Sequence, residues 1–271
     1  MLNELKKIPV FVARDFRILF TYKIAFFITF FGILFSLFYF ILFGSMFGSI
    51  NVPALSDYGG NYISFILVGS IGWSFLWSIM NATSSSLAGE MAMGTLESIL
   101  LTSTRLSTMM LSYAIFGCFF GLVSIIILLL VGFFIFGVTA FMTATIYTLI
   151  IFILSAIMMI GFGMIFGGLT IWLKNIGDAV PLLQNIIMFF CGVYFPISVL
   201  PTYMQPIAKF IPFYYSIEGL RRSLITTSSS SELLGYVLIL LVLSIVFNII
   251  GFYTLRKGLM KAKKDGSLAF Y

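Results

Sequence analysis

From 109 to 136 the chain runs without a single charged side chain. That is well beyond the roughly 18 residues that mark a bilayer-crossing helix. A soluble core does not need apolar runs of this length, and here they recur. The stretches are about 24–47, 62–82, 109–136, 146–172, 179–195 and 233–255. The fifth is short and ends at Pro196, because proline removes a backbone donor and crowds the preceding turn. Charge is also too scarce for a water-facing surface. The 271 residues are 61% hydrophobic and 9% charged, with mean hydropathy +1.15, against about a quarter charged in a soluble domain. The expectation is one all-α membrane domain over 1–271 with six transmembrane helices.

The distribution of basic residues predicts orientation. With the amino terminus inside, the inner segments collect Lys6, Lys7, Arg14, Arg17, Lys23, Arg105, Lys174, Arg256, Lys257, Lys261, Lys263 and Lys264. Only Lys209, Arg221 and Arg222 remain outside. This imbalance favours an even number of spans, both ends in the cytoplasm and a cell-membrane location. The net charge of +6 sits mostly at the two ends, and basic ends of this kind face an anionic leaflet more often than nucleic acid. The first twenty or so residues lack the compact apolar region and small-residue cleavage site of a signal peptide.

Residues 1–22 read as an amphipathic helix. Leu5, Ile8, Val12, Phe16 and Leu19 fall on one face, Lys6, Lys7, Arg14 and Arg17 elsewhere, and Pro9 marks the first turn. Such a helix lies at the headgroup boundary or packs on other protein. Segment 196–225 is broken by Pro196, Pro201, Pro206 and Pro212. Its apolar stretches 207–211 and 213–217 are too greasy for a free loop and too short to cross. They are expected to dip back into the outer leaflet, buried against protein, or else to fold as an external loop.

The segment 88–104 joins the second and third spans. Within it Thr95 can cap a helix and Glu97 can meet the positive end of the helix dipole. Leu96, Ile99 and Leu100 make an apolar face. Such a short helix suits a docking knob for a partner, or a plain link resting on headgroups.

Here the sequence resembles a known family. Glu90-x-x-x-Gly94-Thr95-Leu96-Glu97-x-x-Leu100-x-Thr102 is similar to the signature of type-2 ABC exporter permeases. Tyr194-Phe195-Pro196-Ile197-Ser198 and Pro212-Phe213-Tyr214-Tyr215-Ser216-Ile217-Glu218-Gly219-Leu220-Arg221 resemble the family's segment between its fifth and sixth spans. Residues 62–72, with Gly69, resemble its second span. Ser103 and Met91 depart from the pattern, where a proline and a basic residue are common. The resemblance implies a coupling helix gripping a nucleotide-binding ATPase subunit through Glu90, Gly94, Thr95, Leu96, Glu97, Leu100 and Arg105. It implies an external gate containing Pro196, Pro201, Pro212, Tyr215, Glu218 and Arg221, and a second copy of this chain or a related permease. ATP and magnesium would bind on the partner, since the chain has no Gly-x-x-x-x-Gly-Lys-Ser/Thr phosphate cradle. No cofactor or metal is expected here.

Polar residues inside spans face protein or a cavity. Asn81, Gln184, Asn185 and Asn248 are such residues, and Gln184, Asn185 and Phe189 are the expected substrate path. Helix–helix hydrogen bonding explains them equally well. A stand-alone secondary transporter or channel would need charged groups within the spans, which are essentially absent. A lipid-modifying enzyme would need clustered acid and base groups. The chain has nine scattered acidic residues and no histidine. Cys118 and Cys191 sit in apolar runs as small apolar side chains.

Overall fold

The computed structural model describes residues 6–24, separate positions between 27 and 42, and then 53–58, 61–102, 104–137, 145–173, 179–226 and 228–264. The first expected span falls largely outside the described residues, and 138–144 and 174–178, which join the later expected spans, fall outside them as well. Among the described residues all regular structure is helical. The α-helices are α1 (Ile8–Thr21), α2 (Tyr62–Ala92), α3 (Thr95–Leu101), α4 (Leu106–Phe136), α5 (Ile146–Leu173), α6 (Ala179–Phe190), α7 (Gln205–Phe210), α8 (Pro212–Leu224) and α9 (Ser230–Lys264). Short 3-10 turns occupy Pro53–Tyr58 and Ile197–Val199.

Four of these helices, α2, α4, α5 and α9, are long and apolar enough to cross a membrane. With 28 to 35 residues each, they reach about 42 to 52 Å at 1.5 Å per residue. α6 has 12 residues, about 18 Å, which is short of the roughly 30 Å hydrocarbon core. α2 continues ten residues past the expected end of the second span, to Ala92, and α9 runs on into the basic tail.

Local chemistry sets the boundaries. Asn61 Oδ1 accepts from the backbone N–H of Ile63 at 3.0 Å and of Ser64 at 3.2 Å, capping α2. Gly94 adopts φ +68, a left-handed conformation that costs glycine nothing, and so lets the chain reverse between α2 and α3. Pro212 opens α8, where its missing N–H is not needed.

α2 lies at the centre. Its Val68, Leu76, Ile79 and Met80 pack with Ile151, Met158 and Met159 of α5 and with Phe213, Ile217 and Leu220 of α8. α5 and α9 are knit through glycine. A methyl group at Gly161 would come within 2.5 Å of the Phe247 backbone, and one at Gly168 within 2.8 Å of Leu255 Cα. Opposite, a methyl at Gly258 would come within 2.6 Å of the Gly168 carbonyl. Small residues bring such backbones together where lipid supplies no hydrophobic drive. Outward, Leu122, Ile126, Ile153, Val242 and Ile249 are exposed, as an apolar solvent allows.

The apolar stripe expected on α1 meets protein. Phe16 sets its ring edge-on to Phe116 and Phe119 of α4, with centroids 5.4 and 4.7 Å away. Phe11, which lies off that stripe, also packs on the cluster containing Leu96 and Met109. Val10, Ile18 and Phe20 remain exposed.

Candidate functional site

α3 has 7 residues, too few to hold a helix in water alone. It is fastened from beneath. Leu96 is fully buried in a cluster with Leu87, Met91, Met109, Met164 and Leu259, a contribution of about 2 kcal/mol. Around it a polar knot ties α1, α2, α3 and α4. Arg14 Nη1 donates to Glu90 Oε1 at 2.5 Å and Tyr113 Oη donates to the same oxygen at 3.1 Å. The Thr95 hydroxyl donates to Glu90 Oε2. Arg14 also donates to Asp15 Oδ1, at 3.0 and 2.8 Å. Burial raises the Asp15 carboxyl above its ordinary pKa, with Arg14 opposing. The other Asp15 oxygen is buried with no partner among the described residues.

Glu90 is 3% exposed and its carboxylate is taken up by Arg14, Tyr113 and Thr95, so it holds the helices around α3 together. One expectation changes here. Thr95 does not cap α3. Gly94 occupies that position, and the Thr95 hydroxyl turns back to Glu90, because a buried carboxylate demands donors more than an exposed helix end does. Leu96 is turned inward and Leu100 is half-buried on the same cluster. What faces out is Glu97, Ser98, Met93 at 67% exposed and Leu101 at 82% exposed. Arg105 is exposed where α4 begins.

At the other end of α2, Arg221 is wholly buried. Its Nη2 donates to the Val193 carbonyl at 2.7 Å and its Nε to the Phe65 carbonyl at 3.4 Å. The guanidinium lies 3.6 Å above the Phe65 ring. Gly69 makes room, since a methyl there would strike both Arg221 Nη2 and the Val193 carbonyl. Beside it, Glu218 accepts from Tyr58 Oη at 2.8 Å and from Arg222 Nε at 3.0 Å. Burial, then the adjacent carboxylate, push the Tyr58 pKa upward, so the hydroxyl stays a donor. Arg222 Nη1 lies 3.6 Å from Glu232 of α9. Pro196 is buried before the 3-10 turn Ile197–Val199 and Pro201 is exposed after it. Pro212 starts α8, and Tyr215 packs edge-on to Tyr214. Glu218 and Arg221 thus come together, and the prolines shape the path leading to them.

Between these ends a cavity of about 670 Å³ opens along α2, α4 and α6. Ser70, Ser74, Ser78, Asn81 and Ser85 line it from α2 and Gln184 from α6. Trp73 and Trp77 stack there, with centroids 5.8 Å apart and planes at 17°. Gln184 was an expected path residue. The serine row was not, although its spacing of three and four is written in the sequence and marks one face of a helix. Bulky apolar neighbours hide that row from a hydropathy reading. Asn185 and Phe189 are not brought to the cavity. On a helix, 184 and 188 share a face while 185 and 189 lie one step round. Phe189 instead packs on Phe190 and Phe195. Asn248 serves helix packing, donating to the Ile157 carbonyl at 2.6 Å.

No curated protein matches the chain. The pattern of the ABC-2 type transporter family matches it from residue 10 to residue 225. That interval begins in α1 and takes in the polar knot, α3, the cavity and the buried arginine of α8. The chain therefore belongs to the ABC-2 type transporter family, as a multi-pass membrane permease of an ABC transporter.

Proposed function

We propose that this chain is the membrane half of an ATP-driven exporter and carries an amphipathic, drug-, lipid- or glycolipid-like cargo outward. The ATP and magnesium chemistry belongs to a separate nucleotide-binding ATPase subunit. The permease unit is two copies of this chain or one copy with a relative. Both ends lie in the cytoplasm of a cell-membrane protein.

The observation that carries this reading is the two-sidedness of α3. One side is locked into the bundle through Leu96 and the Glu90 knot. The other offers Leu101 and Glu97 to solvent, with Met93 exposed just before the helix, an apolar and acidic surface suited to a protein partner. Movement of that partner would push α3. α2 would carry the push as one rigid helix from Glu90 to Phe65, about 37 Å at 1.5 Å per residue, to the buried Arg221. The cavity midway would open alternately to each side. A cargo can shift that equilibrium only by its differential affinity for the two states.

Affinity purification of the tagged full chain from its own membranes tests this. The expected result is an ATPase subunit retained in stoichiometric amount and lost with Leu101→Glu. Purified chain that moves cargo with no ATPase present would overturn it.

A further inference from the structure

The lining of the cavity along α2 bears on the chemistry of what it could hold. Ser70, Ser74, Asn81 and Gln184 face it, and none of these side chains has a hydrogen-bond partner among the described residues. Ser78 and Ser85 differ. Ser78 donates to the Phe75 and Gly117 carbonyls, and Ser85 to the Asn81 carbonyl. Unpartnered hydroxyl and amide groups at membrane depth call for water or a ligand that bonds to them. No lining residue is an acid or base that carries charge near neutral pH, the Tyr194 phenol included. Residues 25–50, α4 and α5 carry no charged side chain either, so a second copy would add none from these elements. A charged cargo group would sit there uncompensated.

We propose that the cavity binds an electrically neutral amphiphile whose polar part carries several hydroxyl or amide groups. This rests on reading the cavity as the cargo path. The polar part lies along the α2 serine row and Gln184. The apolar part lies on Trp77, Phe116 and Met188, which line the same space. Trp73 and Trp77 stack nearly parallel and share one face, unlike the several-sided aromatic cage that holds a cation without a counter-charge.

The sequence contains three tryptophans, and two of them line the cavity. The tryptophan emission of a Trp172→Phe variant therefore comes only from the site. The full-length variant, in nanodiscs of zwitterionic lipid, is titrated with bromine-labelled amphiphiles of one chain length, a glucoside, a trimethylammonium and a sulfate. Bromine quenches tryptophan on contact. The expected result is saturable quenching by the glucoside at a concentration about tenfold below either charged form, the equivalent of one or two good hydrogen bonds. In Ser74→Ala/Asn81→Ala/Gln184→Ala the preference falls to about twofold or less. Equal or tighter quenching by a charged form overturns the proposal, as does a glucoside preference that survives the triple replacement. If Trp172→Phe does not insert, native mass spectrometry of the unaltered chain in the same nanodiscs reads the same ranking, with the same outcomes deciding. No ATPase takes part, so failed coupling to a partner and a wrong cargo class give separate results.

Discussion

Arg14 Nη1 lies 2.5 Å from Glu90 Oε1, joining an amino-terminal helix to the last turn of α2 across 76 positions of sequence. The pair is asymmetric. The Glu90 side chain is 4% exposed and that of Arg14 is 36% exposed. Glu90 is therefore the member whose loss leaves groups stranded. Arg14 Nη1 and the Tyr113 hydroxyl lose their acceptor, with Arg14 keeping Asp15, and the Thr95 hydroxyl loses its carboxylate partner.

Glu90→Ala should lower stability by about 2 kcal/mol, below the 3–5 kcal/mol of a fully buried pair because Arg14 is partly hydrated. Glu90→Gln keeps an acceptor and should cost about half as much. Thermal unfolding in detergent reads the loss. Hydrogen exchange should show it concentrated in residues 8–21 and 95–101. A double-mutant cycle with Arg14→Ala should give a coupling of about 1 kcal/mol.

Gly69→Ala should damage the α8 end of the bundle, because its methyl meets the Arg221 guanidinium and the Val193 carbonyl, neither of which can retreat. A cost of about 1–3 kcal/mol is expected from overpacking. Gly89→Ala, on the same helix with nothing near its new methyl, should be neutral or stabilise by up to about 1 kcal/mol. Folded yield and melting temperature of the two variants separate these outcomes.

Asn248→Leu removes the bond to the Ile157 carbonyl. Interhelical bonds of this kind average about 0.6 kcal/mol, so a small loss of stability with unchanged cargo selectivity is expected. Altered selectivity in a transport assay would place Asn248 on the cargo path instead.

The sequence carried the membrane class openly, because helices facing lipid need long apolar runs. It carried α3 as well, through Gly94 and the apolar set Leu96, Ile99 and Leu100. Gly161, Gly163, Gly167 and Gly168 stand out in an apolar run as small residues that permit close packing, but the run does not name their partners. Gly161 and Gly168 meet α9, whereas Gly163 and Gly167 meet Thr83 and Leu87 of α2. The inward turn of Glu90 could not be read, since it depends on Arg14 and Tyr113 arriving from distant segments. Arg221 was hidden for a related reason. Read as an external basic residue, it is buried by carbonyls of Val193 and Phe65 and by the space that Gly69 leaves. Local pattern cannot report a bond made across 28 or 156 positions.

On the proposed function, ATP hydrolysis on another chain acts through the outer surface of α3. The direct measurement is cargo export and ATP turnover, side by side, in vesicles holding this chain with its co-purified ATPase. In Glu97→Arg export should fall at least about tenfold, with ATP still hydrolysed and the permease inserted in normal amount. Export by Glu97→Arg at the unaltered rate, or export by this chain in vesicles free of any ATPase, would contradict it.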